Sequence, residues 1–275
     1  MTEVTFTERV LRRDRLIVLA GLLAISALAW WWVIIGAGTG MSTIAMTTWQ
    51  FPPPIRPNMI EDWSFSYAIV MFFMWWIMMI AMMTPSATPM VLLYARVYRQ
   101  GQNRKAGSST VAPTLSFALG YLVAWAVFSL LATFLQWALE QMGLLHAMMM
   151  WSISPVLSGG LLIAAGTYQL SPLKNVCLEH CRSPIHFLSH NFRPGTHGAF
   201  QMGWKHGLYC LGCCWFLMAL LFAGGIMNLV WIAGLAIFVL IEKLAPMGHW
   251  ISRVAGIAMI CAGALVLWSS SHIVL

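Results

Sequence analysis

Charge is what this chain has least of. Only 8% of its 275 residues are Asp, Glu, Lys or Arg, against about 25% in an ordinary soluble domain. So few charges cannot wet the surface of a soluble fold of this length, and the 60% hydrophobic content excludes disorder. Acids are scarcest, eight in all and almost absent from the apolar stretches, which leaves little basis for a proton relay or a carboxylate cation site within a membrane. Catalytic and nucleotide signatures are missing too: there is no P-loop, no GxSxG and no HExxH. Gly36-Ala37-Gly38-Thr39-Gly40 lacks the strand-then-helix context of a nucleotide loop and reads as a flexible helix end. No internal repeat points to an inverted-repeat transporter. With a mean hydropathy of +0.78, the class that remains is an all-α, polytopic transmembrane helix bundle whose first partner is the lipid bilayer.

A helix needs about 20 apolar residues to cross a bilayer core. Seven stretches serve: 16–36, 66–84, 111–138, 147–168, 207–223, 227–243 and 254–268. The fifth and sixth come from one uncharged run, divided where Gly224-Gly225 is followed by Asn228. With the N-terminus in the cytoplasm, Arg9, Arg12, Arg13, Arg15, Arg96, Arg99, Arg104, Lys105, Lys174, Arg182, Arg193, Lys205, Lys243 and Arg253 fall inside, and Arg56 alone falls outside. That distribution obeys the positive-inside rule, whereas six spans would move Lys243 and Arg253 outside. The net charge of +7 is therefore an orientation signal, and no nucleic-acid partner is expected. The expectation is a single transmembrane domain over residues 1–275, in an inner (plasma) membrane. Its first apolar run continues through Trp30, Trp31, Trp32 and Val33, which reads as an uncleaved signal-anchor.

Three connections stand out. The outer segment 37–62 is stiffened by Pro52-Pro53-Pro54 and Pro57 and is expected across the outer mouth. The inner segment 85–99, with Pro85 and Pro89, reads as a kinked tail of the second helix or an interfacial helix. The inner loop 170–205 is the longest cytoplasmic stretch and holds much of the chemistry.

Cys177, Cys181, Cys210, Cys213 and Cys214 share a short window with His180, His186, His190, His197 and His206. On a helix turning about 100° per residue, with His206 at zero, Cys210 falls near 40°, Cys213 near −20° and Cys214 near 80°. His206, Cys210 and Cys213 thus line one stripe, while Gly207 and Gly212 permit close approach. Cys177 and Cys181, four apart, would also face one way on a helix. The candidate metal residues are Cys177, Cys181, His206, Cys210, Cys213 and Cys214, with His180 weaker. A Cys₃His or Cys₄ set would make a closed zinc site; thiolate ligands also suit Cu(I) or an iron–sulfur cluster. Cys261 reads as packing, and His186, His190 and His197 as solvated or hydrogen-bonding loop residues. A disulfide framework does not fit a cytoplasmic location.

Methionine is abundant, with 20 residues. Met71, Met74, Met78 and Met82 share a face of the second span. Thioethers are first of all adaptable packing groups, but they are also soft ligands for Cu(I), so Met78 and Met82 are weaker candidates. Met148-Met149-Met150 beside His146 adds a little to the copper reading. Glu242 is expected to pair with its neighbour Lys243.

The runs Cys177-Leu-Glu-His-Cys181-Arg-Ser-Pro, His206-Gly-Leu-Tyr-Cys210-Leu-Gly-Cys-Cys-Trp215, Gly225-Ile-Met-Asn228, Glu242-Lys243 and Met82-Met-Thr-Pro85-Ser-Ala-Thr-Pro89 resemble a bacterial family of predicted metal-binding integral membrane proteins, a domain of unknown function. The resemblance covers roughly residues 66–243 and implies metal binding at these cysteines and histidines. The leading expectation is an integral membrane protein that holds, delivers or uses a soft metal ion, copper being favoured and zinc or iron open, through a Cys/His cluster at the cytoplasmic face. Two others stand beside it: a thiol- or quinone-linked redox enzyme using Cys210 and Cys213 in CxxC spacing, and an accessory subunit of a larger membrane complex whose 15 tryptophans offer packing surfaces.

Overall fold

The computed structural model describes residues 6–53, 63–102 and 111–273. Arg56, Pro54, Pro57, Arg104 and Lys105, used above for topology and loop character, lie outside these. Among the described residues the chain is all-helical, with a single isolated β-bridge between Leu145 and Ser152. The helices are α1 (Phe6–Ile34), α2 (Phe65–Gln102), α3 (Val111–Gln141), α4 (Pro155–Gln169), α5 (Pro172–Arg182), α6 (Pro184–Asn191), α7 (Gly195–Ala219), α8 (Leu221–Gly224), α9 (Leu229–Leu244) and α10 (Gly248–Ile273).

Local chemistry explains most of these boundaries. Proline opens α4, α5 and α6, where its missing N–H costs nothing. Ser154 and Ser171 cap α4 and α5 by accepting the N–H groups of Leu157 and Lys174. Asn228 caps α9 by accepting from Val230, and its amide also donates to the carbonyls of Thr48 and Gly224. The break expected at Gly224-Gly225 is present: α8 ends there, and Gly225 adopts φ +107°.

Five helices are long and apolar enough to cross a membrane, by length and composition: Leu16–Ile34, Phe65–Gln100, Val111–Gln141, Gly195–Gly224 and Gly248–Ser270. The other two expected spans coincide with α4 and α9, of 15 and 16 residues. At about 1.5 Å per residue each is some 6–8 Å short of a hydrocarbon core of about 30 Å. Residues 147–154, expected at the start of the fourth span, instead belong to a loop closed by the Leu145–Ser152 bridge.

Two further boundaries differ from expectation. α2 runs unbroken through Pro85 and Pro89 to Gln102, so the segment 85–99 is its helical tail and not a separate interfacial helix. The hydroxyls of Ser86 and Thr88 bond back to the carbonyls of Met83 and Thr84 beside the prolines. The segment 170–205 is not an open loop but α5, α6 and the first turns of α7, which begins at Gly195, twelve residues before the expected Gly207.

The result is a bundle with two cores. The larger joins the first half of α2 with α3, α7 and α9. The smaller joins Met90, Val91, Tyr94 and Tyr98 of the α2 tail to Phe117 of α3, Phe187 and Leu188 of α6, and Ala199 and Met202 of α7. α3 and α7 run parallel in close contact, with Gly120 against the Phe200 carbonyl and Gly203 against that of Phe117. At the end remote from the small core, three loops interlock. Ser152 donates to the Phe222 carbonyl, Ile226 to that of Met150, and the Leu229 N–H to the Thr47 hydroxyl.

Candidate metal centre

Helical periodicity places His206, Cys210, Cys213 and Cys214 on one buried face of α7. The two thiols Cys213 and Cys214 each donate to the Cys210 carbonyl at 3.0 Å. α5 packs across this face and brings Cys181 with it: the Sγ atoms of Cys181 and Cys213 are 4.0 Å apart. Cys177, one turn back on α5, lies against Gly212, where any Cβ would come within 2.8 Å of the Cys177 sulfur. Tyr168 reinforces the seam by donating from its hydroxyl to the Gly212 carbonyl at 2.5 Å.

Cys210 has a different neighbourhood. Its sulfur lies 3.0 Å from the Lys243 ammonium and 3.1 Å from the Tyr121 hydroxyl. Lys243 is buried and donates also to the Ser86 hydroxyl at 3.2 Å. An ammonium buried in this way needs an anionic neighbour, and a Cys210 thiolate would supply one. Contrary to the expectation from sequence, Glu242 does not pair with Lys243. Its carboxylate bonds to Lys174 of α5 at 2.5 Å and accepts from Ser252 of α10. Successive residues on a helix project about 100° apart, so one neighbour reaches α5 while the other reaches α7.

The two thiols of α5 sit above the ordinary cysteine value. Burial is the main cause at Cys177, with the charge of Cys213 adding to it. At Cys181 the main cause is contact with the sulfurs of Cys210 and Cys213. Both therefore hold their protons at neutral pH, and a bound metal ion would displace them.

His206, one turn before Cys210 on α7, sits among aromatic rings. Its ring lies between Phe117, Tyr121 and Phe187, with centroids at 6.2, 5.8 and 5.4 Å, and its Nδ1 is buried without a hydrogen-bond partner. His180 turns away from the cluster. It stacks on Tyr209 at 4.1 Å and 7°, with Nδ1 2.8 Å from the Val176 carbonyl. His186 and His190 are exposed on α6 with rings 4.3 Å apart, and His197 bonds to Gln201. His146 accepts the Met149 N–H within its loop, and Cys261 is exposed on α10. Met78 and Met82 are fully buried in the same core as the cysteines.

Among the described residues, no three His, Cys, Asp or Glu side chains converge as a ready-made metal set. A sulfur pair does fit Cu(I), a soft closed-shell ion that accepts two thiolates in a linear array. Besides its CxxC neighbour Cys210, Cys213 meets Cys181 on another element. Lys243, Tyr121 and the Lys174–Glu242 pair escaped the sequence reading, although an acid and a base side by side at the end of an apolar run were a visible signal.

A family model described as PpoB2, copper chaperone, matches residues 72–266. No curated protein and no solved structure matches the chain.

Proposed function

The chain belongs to the PpoB2 copper-chaperone family, and from that premise we propose that it carries Cu(I) as cargo on the Cys181–Cys213 sulfur pair, within a bacterial inner membrane, and passes it to a protein partner there. The observation that carries this reading is the 4.0 Å approach of two thiols from separate helices. Cys210, Cys214 and Cys177 surround the pair as exchange ligands, and His206 Nδ1, buried and unpartnered, is a reserve ligand one turn away. A cuprous bis-thiolate bears one net negative charge. The Lys243 ammonium, 3.0 Å from Cys210, supplies the compensating positive charge in a buried site.

We place seven helices in the bilayer, the five long ones together with α4 and α9, and the N-terminus in the cytoplasm. Exposed Leu115, Leu119, Leu130, Leu131 and Phe134 on α3 support a lipid-facing surface. Charge placement supports the orientation. The cysteines then lie near the cytoplasmic surface, where α9 carries Lys243 in its last turn.

The test is copper binding by the intact protein in mild detergent under reducing conditions, read by elemental analysis after gel filtration. One Cu(I) per chain is expected. Cys181→Ser and Cys213→Ser should each weaken binding by more than about 100-fold, beyond the roughly 10–100-fold typical of losing an outer-shell partner, while Cys261→Ser binds normally. Protein that takes up zinc but no copper, or copper binding indifferent to both serine variants, refutes the assignment. The same approach favours a second reading, thiol–disulfide chemistry between Cys181 and Cys213 in place of the CxxC pair. A Cys181–Cys213 disulfide trapped from growing cells would support it, and its absence under oxidising challenge would count against it.

A further inference from the structure

Between residues 71 and 83, α2 inverts the usual order of a core. Its buried side chains there are Met71, Met74, Met78, Met79, Met82 and Met83, with Trp75 and Ala81, while Ile77 and Ile80 occupy the partly exposed flank. Branched aliphatic side chains fill cores with better-defined rotamers, and methionine is a sparing gap-filler. Packing alone thus gives no reason to bury six methionines and leave the isoleucines outside.

Met71, Met74, Met78 and Met82 fall within about 80° of one another on a helix turning about 100° per residue. Successive members of the column are then roughly 4.5–6 Å apart along the axis. The column shares a core with Cys210, Cys213 and Cys214.

Its two ends differ in chemistry. At the loop end, Gln136 Nε2 is 3.6 Å from the Met71 sulfur and donates to Glu140 Oε1 at 2.9 Å. That buried carboxylate also accepts from Trp63 Nε1 at 2.7 Å. At the cysteine end, the Tyr121 hydroxyl is 3.4 Å from the Met83 carbonyl and 3.1 Å from the Cys210 sulfur. Ser86, one turn further along α2, is joined through Lys243 to the same sulfur. A carboxylate thus lies at one end, neutral soft donors in between, and thiols at the other.

We infer that this methionine column is a relay for Cu(I) between the Glu140 end and the cysteine pair. The inference rests on the reading of Cys181 and Cys213 as the copper site. The ion moves by ligand exchange from thioether to thioether, without change of valence. Each thioether is uncharged and releases the cation readily, whereas the terminal thiolates are anionic and hold it until a competing Cu(I) ligand, such as lumenal bicinchoninate, takes it by exchange.

The experiment uses the full chain in sealed liposomes holding bicinchoninate, which colours on trapping Cu(I), with cuprous ion supplied outside under reducing conditions. Two double variants keep core volume nearly constant: Met74→Leu with Met78→Leu on the column, and Met79→Leu with Met83→Leu off it. Copper held by the Cys181–Cys213 pair is measured in parallel by elemental analysis. The expected result is lumenal colour with wild type and the off-column variant, and delivery slowed at least about tenfold by the on-column variant with cysteine-bound copper unchanged. Equal slowing by both variants, or by neither, overturns the relay. Wild-type protein that loads the cysteine pair but delivers nothing to the lumen overturns the relay and leaves the copper site standing. Wild-type protein with no copper on the cysteines overturns both.

Discussion

Glu242 and Lys243 are neighbours in sequence yet hold different parts of the molecule. Glu242 ties α5 and α10 to the end of α9 through Lys174 and Ser252, and both members of the Lys174–Glu242 pair are fully buried. Removing one partner of such a pair strands the other charge, which costs about 3–5 kcal/mol, whereas replacing both by apolar groups of similar size is often neutral. Glu242→Ala is therefore expected to lower the thermal midpoint in detergent sharply, and Lys174→Met combined with Glu242→Leu to restore most of it. Equal losses from the single and double changes would contradict this account. Because Lys174 lies on the helix that carries Cys177 and Cys181, the single variant should also weaken copper binding. At this scale the sequence showed which side chains have metal chemistry but not which of them meet. Cys210, Cys213 and His206 share a stripe by periodicity alone. The partner of Cys213 is Cys181, 32 residues away and on another helix.

Pairs of helices meet where glycine removes the side chain. α4 and α10 are such a pair: a Cβ on Gly166 would lie 2.6 Å from the Gly256 carbonyl, and one on Gly159 would lie 2.7 Å from a Leu267 side-chain carbon. Gly160, on the same helix, has nothing within 4 Å. Gly166→Ala should therefore cost about 1–3 kcal/mol through overpacking, while Gly160→Ala should be neutral or stabilising by up to about 1 kcal/mol through helix propensity. Thermal unfolding in detergent compares them, and an equal response would refute the close approach. Element boundaries were legible where a cap or a break was local, as at Asn228 and Gly225. They were not legible in 170–205, where polar residues read as loop. α5 and α6 are helical because they pack on α7 and on the α2 tail, and that burial offsets their modest apolar content.

For the whole molecule, span number and orientation follow from where α9 and α10 end. Seven crossings put the C-terminus on the opposite side of the membrane from the N-terminus, whereas six put both on one side. Alkaline phosphatase, active only outside the cytoplasm, is expected to be active when fused after Leu275 and inactive when fused before Met1. Inactivity at both ends would mean an even number of crossings and would return Lys243 and Arg253 to the outer side.

Composition and periodicity by themselves determined the class of this protein: too few charges for water, enough apolar length for a membrane, and thiols and thioethers of soft-metal type on helical stripes. Those properties depend on residues near one another along the chain, where helix geometry dictates relative position. Only the tertiary structure decided that α5 folds back onto α7, that Cys181 meets Cys213, that Lys243 turns to Cys210 and Glu242 to Lys174, and that Gln136 joins Met71 to the buried Glu140. These contacts join distant segments through packing, which the spacing within any single helix does not encode.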